Sequence, residues 1–395
     1  MSYGVYVHIP FCRRKCLYCD FPSWAGREDV MAAYTDALCR EIVDRAPTLA
    51  AKGPAATLYI GGGTPTALPI PLLGRIVETI GGHIPFEPEF EFTVEVNPGT
   101  IDLEYITALK AMGATRLSIG AQAFNDAQLK RIGRIHTEQD IKNAVRWARA
   151  ALIVDVSLDL MYGLPGQTMD QLQWSVGSAM DLAVTHISVY GLTIEAGTPF
   201  AQAQAAGTLG LPDDEETEAM YDYLVDSLPP YGFKRYEISN FARSDFVSRH
   251  NLGYWTDVPY AGFGAAAHSY WDDRRTENLR AIDDYIAAIG SGQSPGREEN
   301  PATRKNRMEE FCFLALRTAR GLNKARFAAK FGCPVERVYA PVIADLTTKG
   351  LLEEAGDFLR LTPPGMKMGN MAFRAFLLDE EPPGRETGKE GSRNQ

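Results

Sequence analysis

Near the start of the chain, residues 6–21 read YVHIPFCRRKCLYCDF. Cys12, Cys16 and Cys19 stand at C-x3-C-x2-C spacing, directly after an apolar, β-branched run. Three thiolates within eight residues can wrap one compact metal centre. A cubane iron–sulfur cluster held by three cysteines leaves one iron without a protein ligand. The segment is therefore a candidate cluster site with one open coordination position.

Two other interpretations of these cysteines stay open. A zinc ion could use them with a distant fourth ligand, although zinc sites usually show paired C-x2-C units and one such pair is present. A disulfide would need an oxidising compartment, and we expect no signal peptide before this segment. The other cysteines, Cys39, Cys312 and Cys333, are scattered, and Cys39 and Cys312 lie in helical patterns that suit small buried hydrophobes.

Composition limits the classes of function. The chain has 395 residues, of which 45% are hydrophobic and 23% charged, and its net charge is −10. These values are typical of a soluble protein with two or three domains. No run approaches the roughly 20 apolar residues that span a bilayer. The acidic balance argues against nucleic acid as a partner, so we expect a cytoplasmic protein with at most peripheral membrane contact.

Strand and helix patterns alternate through the first half of the chain. Apolar runs predict six strands, at residues 4–9, 57–60, 90–96, 116–120, 154–161 and 186–190. Apolar residues between them recur at helical spacing, and capping boxes are predicted at 137–140 and 168–171. Six strand–helix units imply a parallel α/β sheet with right-handed crossovers, either doubly wound or closed into an incomplete barrel.

The polar and glycine residues after these strands favour the barrel. Cys12, the 61–65 loop, Glu95, Gln122 and Asp159 each fall where a strand ends. Residues gathered at the C-terminal ends of many strands are typical of a barrel active site. We therefore predict a partial (β/α)6 barrel.

Each of these strand ends suits a ligand. Glycines at 61–63 would let the backbone approach a ligand closely, although a simple turn explains them as well. Glu95 could bind an ammonium group or hydroxyls, and Gln122 offers donors and an acceptor. Asp159 interrupts an apolar strand, and buried acids are rare unless they are paired.

The ordered motifs resemble the radical SAM superfamily and, within it, the oxygen-independent coproporphyrinogen III oxidase (HemN-like) family. The motifs are YVHIPFC, GGGTPT (61–66), EVNP (95–98), SIGAQAFN (118–125) and DLMYGLP (159–165). The resemblance implies a [4Fe-4S] cluster on the three cysteines and S-adenosylmethionine on its open iron, which a reduced cluster can split to a 5′-deoxyadenosyl radical. It also implies cofactor contacts at Tyr6, Tyr18, Gly62, Gly63, Thr64, Glu95, Gln122, Arg134 and Asp159.

Two departures separate the chain from the oxidase branch. That branch has a fourth cysteine where this chain has Phe21, and it has an N-terminal extension that we do not expect here. YCDF (18–21) and HNLGYW (250–255) instead match the HemW branch of haem chaperones. The resemblance then implies haem binding by His250, a candidate axial ligand, with Asn251, and with Tyr254 and Trp255 around the porphyrin. Alternatively, His250 and Asn251 cap a turn and Trp255 is a core residue.

The expected function is haem binding and transfer to an acceptor haem protein, with a homodimer as one assembly. No catalytic side chain is predicted. Two rivals share the same cofactor contacts: radical decarboxylation of coproporphyrinogen III, and a radical SAM methyltransferase. Neither is excluded by the sequence.

Three domains and a C-terminal tail are expected. Residues 1–230 form the barrel, and 231–300 form an extension that carries the HNLGYW motif. Residues 301–375 contain helices at 308–316, 323–331 and 334–349 and a hairpin from 351–352 to 358–361, which predicts a winged-helix-like domain. Residues 376–395 are rich in charge, proline and glycine and are expected to be disordered.

Overall fold

One large sheet organises the first part of the protein. The computed structural model describes residues 2–298 and 302–380. In the first of these ranges, twelve strands form the sheet and two more form a small ribbon. In chain order they are β1 (Tyr3–Ile9), β2 (Phe11–Cys12), β3 (Trp24–Ala25), β4 (Ala55–Gly62), β5 (Phe86–Val96), β6 (Arg116–Gln122), β7 (Asp155–Tyr162), β8 (His186–Gly191), β9 (Lys234–Arg235), β10 (Asn240–Ala242), β11 (Tyr260–Phe263), β12 (His268–Trp271), β13 (Arg274–Asn278) and β14 (Gly296–Glu298).

Ten α-helices accompany these strands within residues 2–298. They are α1 (Met31–Ala50), α2 (Ile70–His83), α3 (Leu103–Ala111), α4 (Asp126–Arg131), α5 (Glu138–Ala150), α6 (Met169–Asp181), α7 (Pro199–Ala205), α8 (Asp214–Ser227), α9 (Arg249–Trp255) and α10 (Ile282–Gly290). The two predicted capping boxes are confirmed at the starts of α5 and α6. At each, the threonine side chain accepts a backbone N–H three residues on, and that residue's side chain bonds back to the threonine N–H.

The predicted partial barrel is confirmed. Strands β1, β4, β5, β6, β7 and β8 lie side by side and parallel, as the six predicted strands require. A seventh parallel strand, β11, pairs with the other side of β1 and was not predicted. Antiparallel strands extend both edges, β10 and β9 beyond β8, and β12 to β14 beyond β11.

Strand register brings the predicted ligand residues to one edge of the sheet. Ile9 at the end of β1 is opposite Gly62, and Glu95 on β5 is opposite Ser118 on β6. Parallel strands end at the same edge, so the loops that follow them converge there. On β1 the odd-numbered residues from Tyr3 to Ile9 are fully buried on one face, which leaves Tyr6 and His8 on the other face.

The second part of the protein is the predicted winged-helix-like domain. Its helices α11, α12 and α13 pack around a three-stranded sheet in the order β15, β17, β16. Phe311, Phe327, Tyr339 and Leu359 belong to a hydrophobic core of its own. The elements are α11 (Arg304–Leu316), β15 (Leu322–Asn323), α12 (Lys324–Phe331), α13 (Val335–Thr348), β16 (Leu352–Ala355), β17 (Phe358–Leu361), α14 (Pro363–Lys367) and α15 (Gly369–Ala375).

Two compact units result, rather than separate units for each expected domain. The first unit contains residues 2–235, 239–253 and 258–298, and the second contains 236–238, 254–257 and 302–380. The expected extension at 231–300 therefore contributes mainly to the barrel sheet, because its strands pair with β1 and β8.

The expectation of disorder from residue 376 is wrong for Phe376 itself. Phe376 is fully buried and its ring lies 5.1 Å from that of Tyr339. Residues 381–395 of that expected tail lie outside the described residues. No helix within residues 2–298 or 302–380 has the length and apolar character needed to cross a bilayer.

Candidate functional site

The three N-terminal cysteines lie on a loop closed at its base by backbone pairing. We call residues 10–23 the cysteine loop. Phe11 and Cys12 pair in parallel with Trp24 and Ala25, and the Trp24 N–H donates to the Pro10 carbonyl at 2.8 Å. Cys12, Cys16 and Cys19 are partly exposed, and none of the cysteines of the chain forms a disulfide. The loop can therefore present free thiols.

A cavity of about 450 Å³ opens against this loop at the C-terminal edge of the barrel strands. It is lined by all three thiols, so the structure gathers residues that are far apart in sequence. Arg14, Lys15, Ser118, Tyr190 and the exposed Phe21 also contribute to its wall. The predicted residues that line it are Cys12, Cys16, Tyr18, Cys19, Gly62, Gly63, Thr64, Glu95, Gln122, Arg134 and Asp159.

The glycines after β4 leave space that other residues would fill. A Cβ atom on Gly63 would lie 2.8 Å from the Phe11 carbonyl oxygen and 3.1 Å from the Cys12 sulfur. Gly62 has a φ of +113°, where residues with side chains are strained, and a Cβ there would meet the His8 ring. The loop and the cysteines thus approach each other closely because these positions lack side chains.

Glu95 faces the cavity from β5. Its Oε1 accepts the Tyr59 hydroxyl at 2.7 Å and its Oε2 accepts the Gly62 N–H at 3.1 Å. Burial raises the pKa of this carboxyl to about 7, and Asp159 adds repulsion, while the two hydrogen bonds oppose the shift. The cavity therefore disfavours the charge of Glu95 unless a cation neutralises it.

Asp159 provides a second carboxyl group on the same wall. Its Oδ1 lies 3.4 Å from the Ser118 hydroxyl. Burial raises its pKa to about 6, although Ser188, Arg116, Ser118 and Arg134 all favour the ionised form. Two carboxyl groups with raised pKa values in one cavity are typical of a ligand site.

Gln122 and Arg134 adopt conformations that secondary structure does not require. Gln122 has a φ of +67°, at the end of a register irregularity in β6. Arg134 donates to the Gly120 carbonyl at 2.6 Å and to the Cys16 sulfur at 3.5 Å, while its Nε is buried without a protein partner. Backbone strain and an unsatisfied buried donor both occur where a ligand completes a site.

Tyr6 does not line the cavity. Its hydroxyl is 2.9 Å from Nδ1 of His8, whose Nε2 is 2.8 Å from the Pro22 carbonyl oxygen. Burial lowers the pKa of His8 to about 4, so the ring is neutral and Nε2 can donate while Nδ1 accepts. The predicted contact from Tyr6 to a cofactor would therefore act through His8 and the cysteine loop.

The donor set fits an iron–sulfur cluster with a bound S-adenosylmethionine. Within the part of the chain that the structure describes, no three His, Cys, Asp or Glu side chains converge tightly enough for one metal ion. A polynuclear cluster can be held by thiols that lie further apart than the ligands of a single ion. The space beside Gly62 and Gly63 leaves room for a ligand. The two carboxyl groups suit its cationic part, and the Nε of Arg134 could donate to its carboxylate.

The expected haem ligand, His250, lies buried beside Thr57 and Tyr59 of β4. Only 4% of its surface is exposed, its Nδ1 is 2.7 Å from the Thr57 hydroxyl, and its ring stacks on Tyr59 with centroids 5.0 Å apart. A haem iron would have to displace these neighbours. His250 instead lies in the first turn of α9, which resembles the alternative that the sequence left open.

The other residues of HNLGYW are divided between the two units. The Asn251 N–H donates to the Ser248 hydroxyl at 3.4 Å in the first unit. Tyr254 and Trp255 belong to the second unit, where the Arg317 guanidinium lies 4.6 Å from the Trp255 ring centroid.

Sequence reasoning missed Tyr59, Ser118 and His8, which bond to predicted site residues. Each lies within a strand rather than after one. A parallel strand buried on both faces shows no polar alternation, so its inward residues are not marked. In the sequence, these residues could have been recognised only as hydroxyl or imidazole side chains that stand a few residues before a predicted site residue.

Family models agree with this geometry. The model of the radical SAM superfamily matches residues 6–176, and that of the HemN C-terminal domain matches residues 302–367. The barrel with its cysteine loop is therefore that of a radical SAM protein with a HemN-type C-terminal domain. Membership of this superfamily implies a [4Fe-4S] cluster and S-adenosylmethionine.

Similar proteins identify the family of this chain within the superfamily. The haem chaperone HemW of Bacillus subtilis is 38% identical over 377 residues, which cover 95% of this chain and 99% of the relative. HemW of Lactococcus lactis is 36% identical over 381 residues, and HemW of Escherichia coli is 31% identical over 384, covering 95% of this chain and 98% of each relative. The chain belongs to the HemW family.

A solved structure shares the fold. Coproporphyrinogen III oxidase (HemN) from Escherichia coli, a radical SAM enzyme, superposes with a TM-score of 0.84 over 95% of this chain and 90% of that chain, at 23% identity. The predicted resemblance to both groups is thus confirmed at the level of family and fold.

Proposed function

We propose that this protein is a haem chaperone, which binds haem and transfers it to an acceptor haem protein. The observation that carries the proposal is the similarity to haem chaperones along 95% of the chain. The absence of a fourth cysteine at Phe21, where the oxidase branch has one, also supports it. The acceptor would be a respiratory haem protein, met in the cytoplasm or by peripheral contact at the inner membrane.

In this proposal, the cysteine loop and cavity hold the [4Fe-4S] cluster and S-adenosylmethionine. Cys12, Cys16 and Cys19 would bind three irons, and the fourth iron would take the amino and carboxylate groups of the methionine moiety. Glu95 would accept a hydrogen bond from that amino group, because its buried carboxylate faces the cavity. The contacts of the remaining moiety would come from Tyr18, Gly62, Gly63, Thr64, Gln122, Arg134 and Asp159.

Haem binding by this chain does not depend on His250 in this proposal. The buried ring has no route to an iron without loss of its Thr57 and Tyr59 contacts. Haem would instead bind at a site that leaves these contacts intact. A homodimer remains part of the proposal, and light scattering with and without haem measures it directly.

The test is an anaerobic haemin titration of cluster-reconstituted protein, followed by transfer to an apo-haem acceptor. We expect a saturable Soret band near one haem per chain, and recovery of the acceptor spectrum faster than with an equal concentration of free haemin. Haem-free albumin as a competitor separates directed transfer from release into solution.

Two results would contradict the proposal. One is no Soret band beyond that of free haemin. The other is decarboxylated porphyrin with 5′-deoxyadenosine formed from coproporphyrinogen III under reductant, which would make the protein an oxidase.

A further inference from the structure

The start of α9 is fixed to the barrel by Glu91. The backbone N–H groups of Arg249 and His250 donate to the two carboxylate oxygens of Glu91 at 2.7 and 3.0 Å, and the Ser248 hydroxyl lies 3.4 Å away. A carboxylate at a helix N-terminus satisfies free N–H groups and complements the helix dipole. Since Glu91 is itself buried on β5, the backbone of His250 has a defined position.

The ring of His250 is held as firmly as its backbone. Its Nδ1 is 2.7 Å from the Thr57 hydroxyl, and a Cβ on Gly4 would lie 3.2 Å from the ring. The plane of the ring is within 25° of Tyr59 and within 30° of Tyr6. Burial lowers the pKa of His250 to about 3, so the ring is neutral at working pH. The neutral, packed imidazole therefore provides a fixed surface on which the Tyr59 ring stacks.

Tyr59 connects the His250 ring to the cofactor cavity. One face of its ring stacks on His250, and its hydroxyl donates to Glu95 Oε1 at 2.7 Å. Burial and the neighbouring Glu95 raise the pKa of Tyr59, so the hydroxyl keeps its proton and remains a donor. Glu95 in turn accepts the N–H of Gly62, in the glycine segment beside the cysteines.

We propose that His250 is a positioning residue of the cofactor cavity, which sets the Tyr59 ring and thereby the Glu95 carboxylate. The proposal rests on the proposed function only in that S-adenosylmethionine binds this cavity, and it does not require haem. His250 would therefore act on the ligand only through Tyr59 and Glu95, although the motif that contains it resembles a haem motif.

The main test compares two substitutions that both fill the space of the imidazole. His250→Phe keeps a planar ring that can stack on Tyr59, whereas His250→Leu does not. Both lose the bond to Thr57, so that loss cancels in the comparison. Affinity for S-adenosylmethionine is measured by anaerobic calorimetry on reconstituted protein. We expect about tenfold weaker binding for the leucine variant, the size of one lost hydrogen bond to a charged group, and near wild-type binding for the phenylalanine variant.

A double-mutant cycle tests the route through Tyr59. Tyr59→Phe removes the hydroxyl that bonds Glu95 and should weaken binding to a similar extent. If His250 acts through that hydroxyl, adding His250→Leu to Tyr59→Phe weakens binding little further. Full additivity of the two effects would overturn the proposal.

Controls separate positioning from loss of fold or loss of cluster. Iron content and far-UV circular dichroism should match wild type in every variant, and the electron paramagnetic resonance signal of the reduced cluster should change less on ligand addition in the leucine variant. His83→Ala, on the exposed end of α2, is the matched histidine control and should bind normally.

The haemin titration distinguishes this proposal from the haem-ligand interpretation. We expect both His250 variants to keep the wild-type Soret band. Loss of the Soret band together with unchanged affinity for S-adenosylmethionine would overturn the positioning role. Failure of wild type itself to bind haem would contradict the proposed function and leave the positioning role standing.

Discussion

Glu95 combines a hydrogen-bonded position with an environment that resists its charge. The carboxyl group has two donors, Tyr59 and the Gly62 N–H, yet burial holds its pKa at about 7. A cationic ligand in the cavity would favour the ionised form, so binding and ionisation are linked. Binding should accordingly strengthen as pH rises through 7 and weaken as pH falls below it.

This linkage gives a pH prediction for the affinity of S-adenosylmethionine. Between pH 8 and pH 6 we expect the dissociation constant to rise several-fold, because the free protein increasingly holds a proton on Glu95 that must leave. Glu95→Gln should bind more weakly at pH 8 and show a much flatter profile. Calorimetry at pH 6, 7 and 8 measures both.

Asp159 leaves a residual dependence in that variant, since its pKa of about 6 also lies in the tested range. Glu89→Gln, an exposed glutamate on the same strand, should retain the wild-type profile. An equally steep profile in Glu95→Gln and wild type would assign the titration to another group.

Single residues also show where sequence reasoning reached its limit. Cys12, Glu95, Gln122 and Asp159 were each predicted at or near the C-terminal end of a strand, and the structure brings all four to one cavity. The orientation of Tyr59 could not be predicted, because a strand buried on both faces has no alternation to reveal it. The motif around His250 suggested a ligand, whereas its burial depends on packing between distant segments.

At the scale of elements, local sequence patterns predicted where the strands lie better than they predicted which strands pair with each other. The six predicted strands are present, with bounds that differ from the prediction by up to four residues. β11 was missed because Tyr260–Phe263 is four residues long and includes alanine and glycine, which do not favour strands. Its pairing with β1 joins segments that are far apart in the chain, and no local pattern encodes such a pairing.

Helix α1 is tied to the segment after β11 by one buried carboxylate. Glu41 is 1% exposed and accepts from the Gly264 N–H at 2.9 Å, from Asn278 at 2.9 Å and from the Tyr285 hydroxyl at 2.6 Å. Arg45, one turn along, donates to it at 2.7 Å. This network holds α1 against the unpredicted strand.

Replacement of Glu41 should destabilise the first unit strongly. Glu41→Leu leaves buried donors without an acceptor, and we expect a loss of about 3–5 kcal/mol in the free energy of unfolding. Glu41→Gln keeps an acceptor and should lose less. Urea denaturation followed by circular dichroism measures the change, with Asp44→Asn, exposed on the same helix, as a control near wild type. A Glu41→Leu protein as stable as that control would contradict the network's role.

At the scale of the whole molecule, the two units have separate hydrophobic cores. Leu158 on β7 and Leu359 on β17 are both fully buried, one in each core. We expect calorimetric unfolding to depart from a single two-state transition. Leu158→Ala and Leu359→Ala should each destabilise their own core by about 2–5 kcal/mol and shift a different part of the transition.

Each alanine variant is the control for the other. A uniform shift of one sharp transition by both substitutions would show that the two cores unfold as one cooperative unit.

The position of β1 between β4 and β11 has a consequence for synthesis on the ribosome. About 250 residues separate Ile9 from the end of β11, so at roughly 5–20 residues per second the nascent chain waits about 10–50 seconds before that side of β1 is covered. During this interval β1 is an unprotected edge strand, open to pairing with other chains. The cysteines that directly follow β1 are therefore translated long before the strand that completes the pairing of β1.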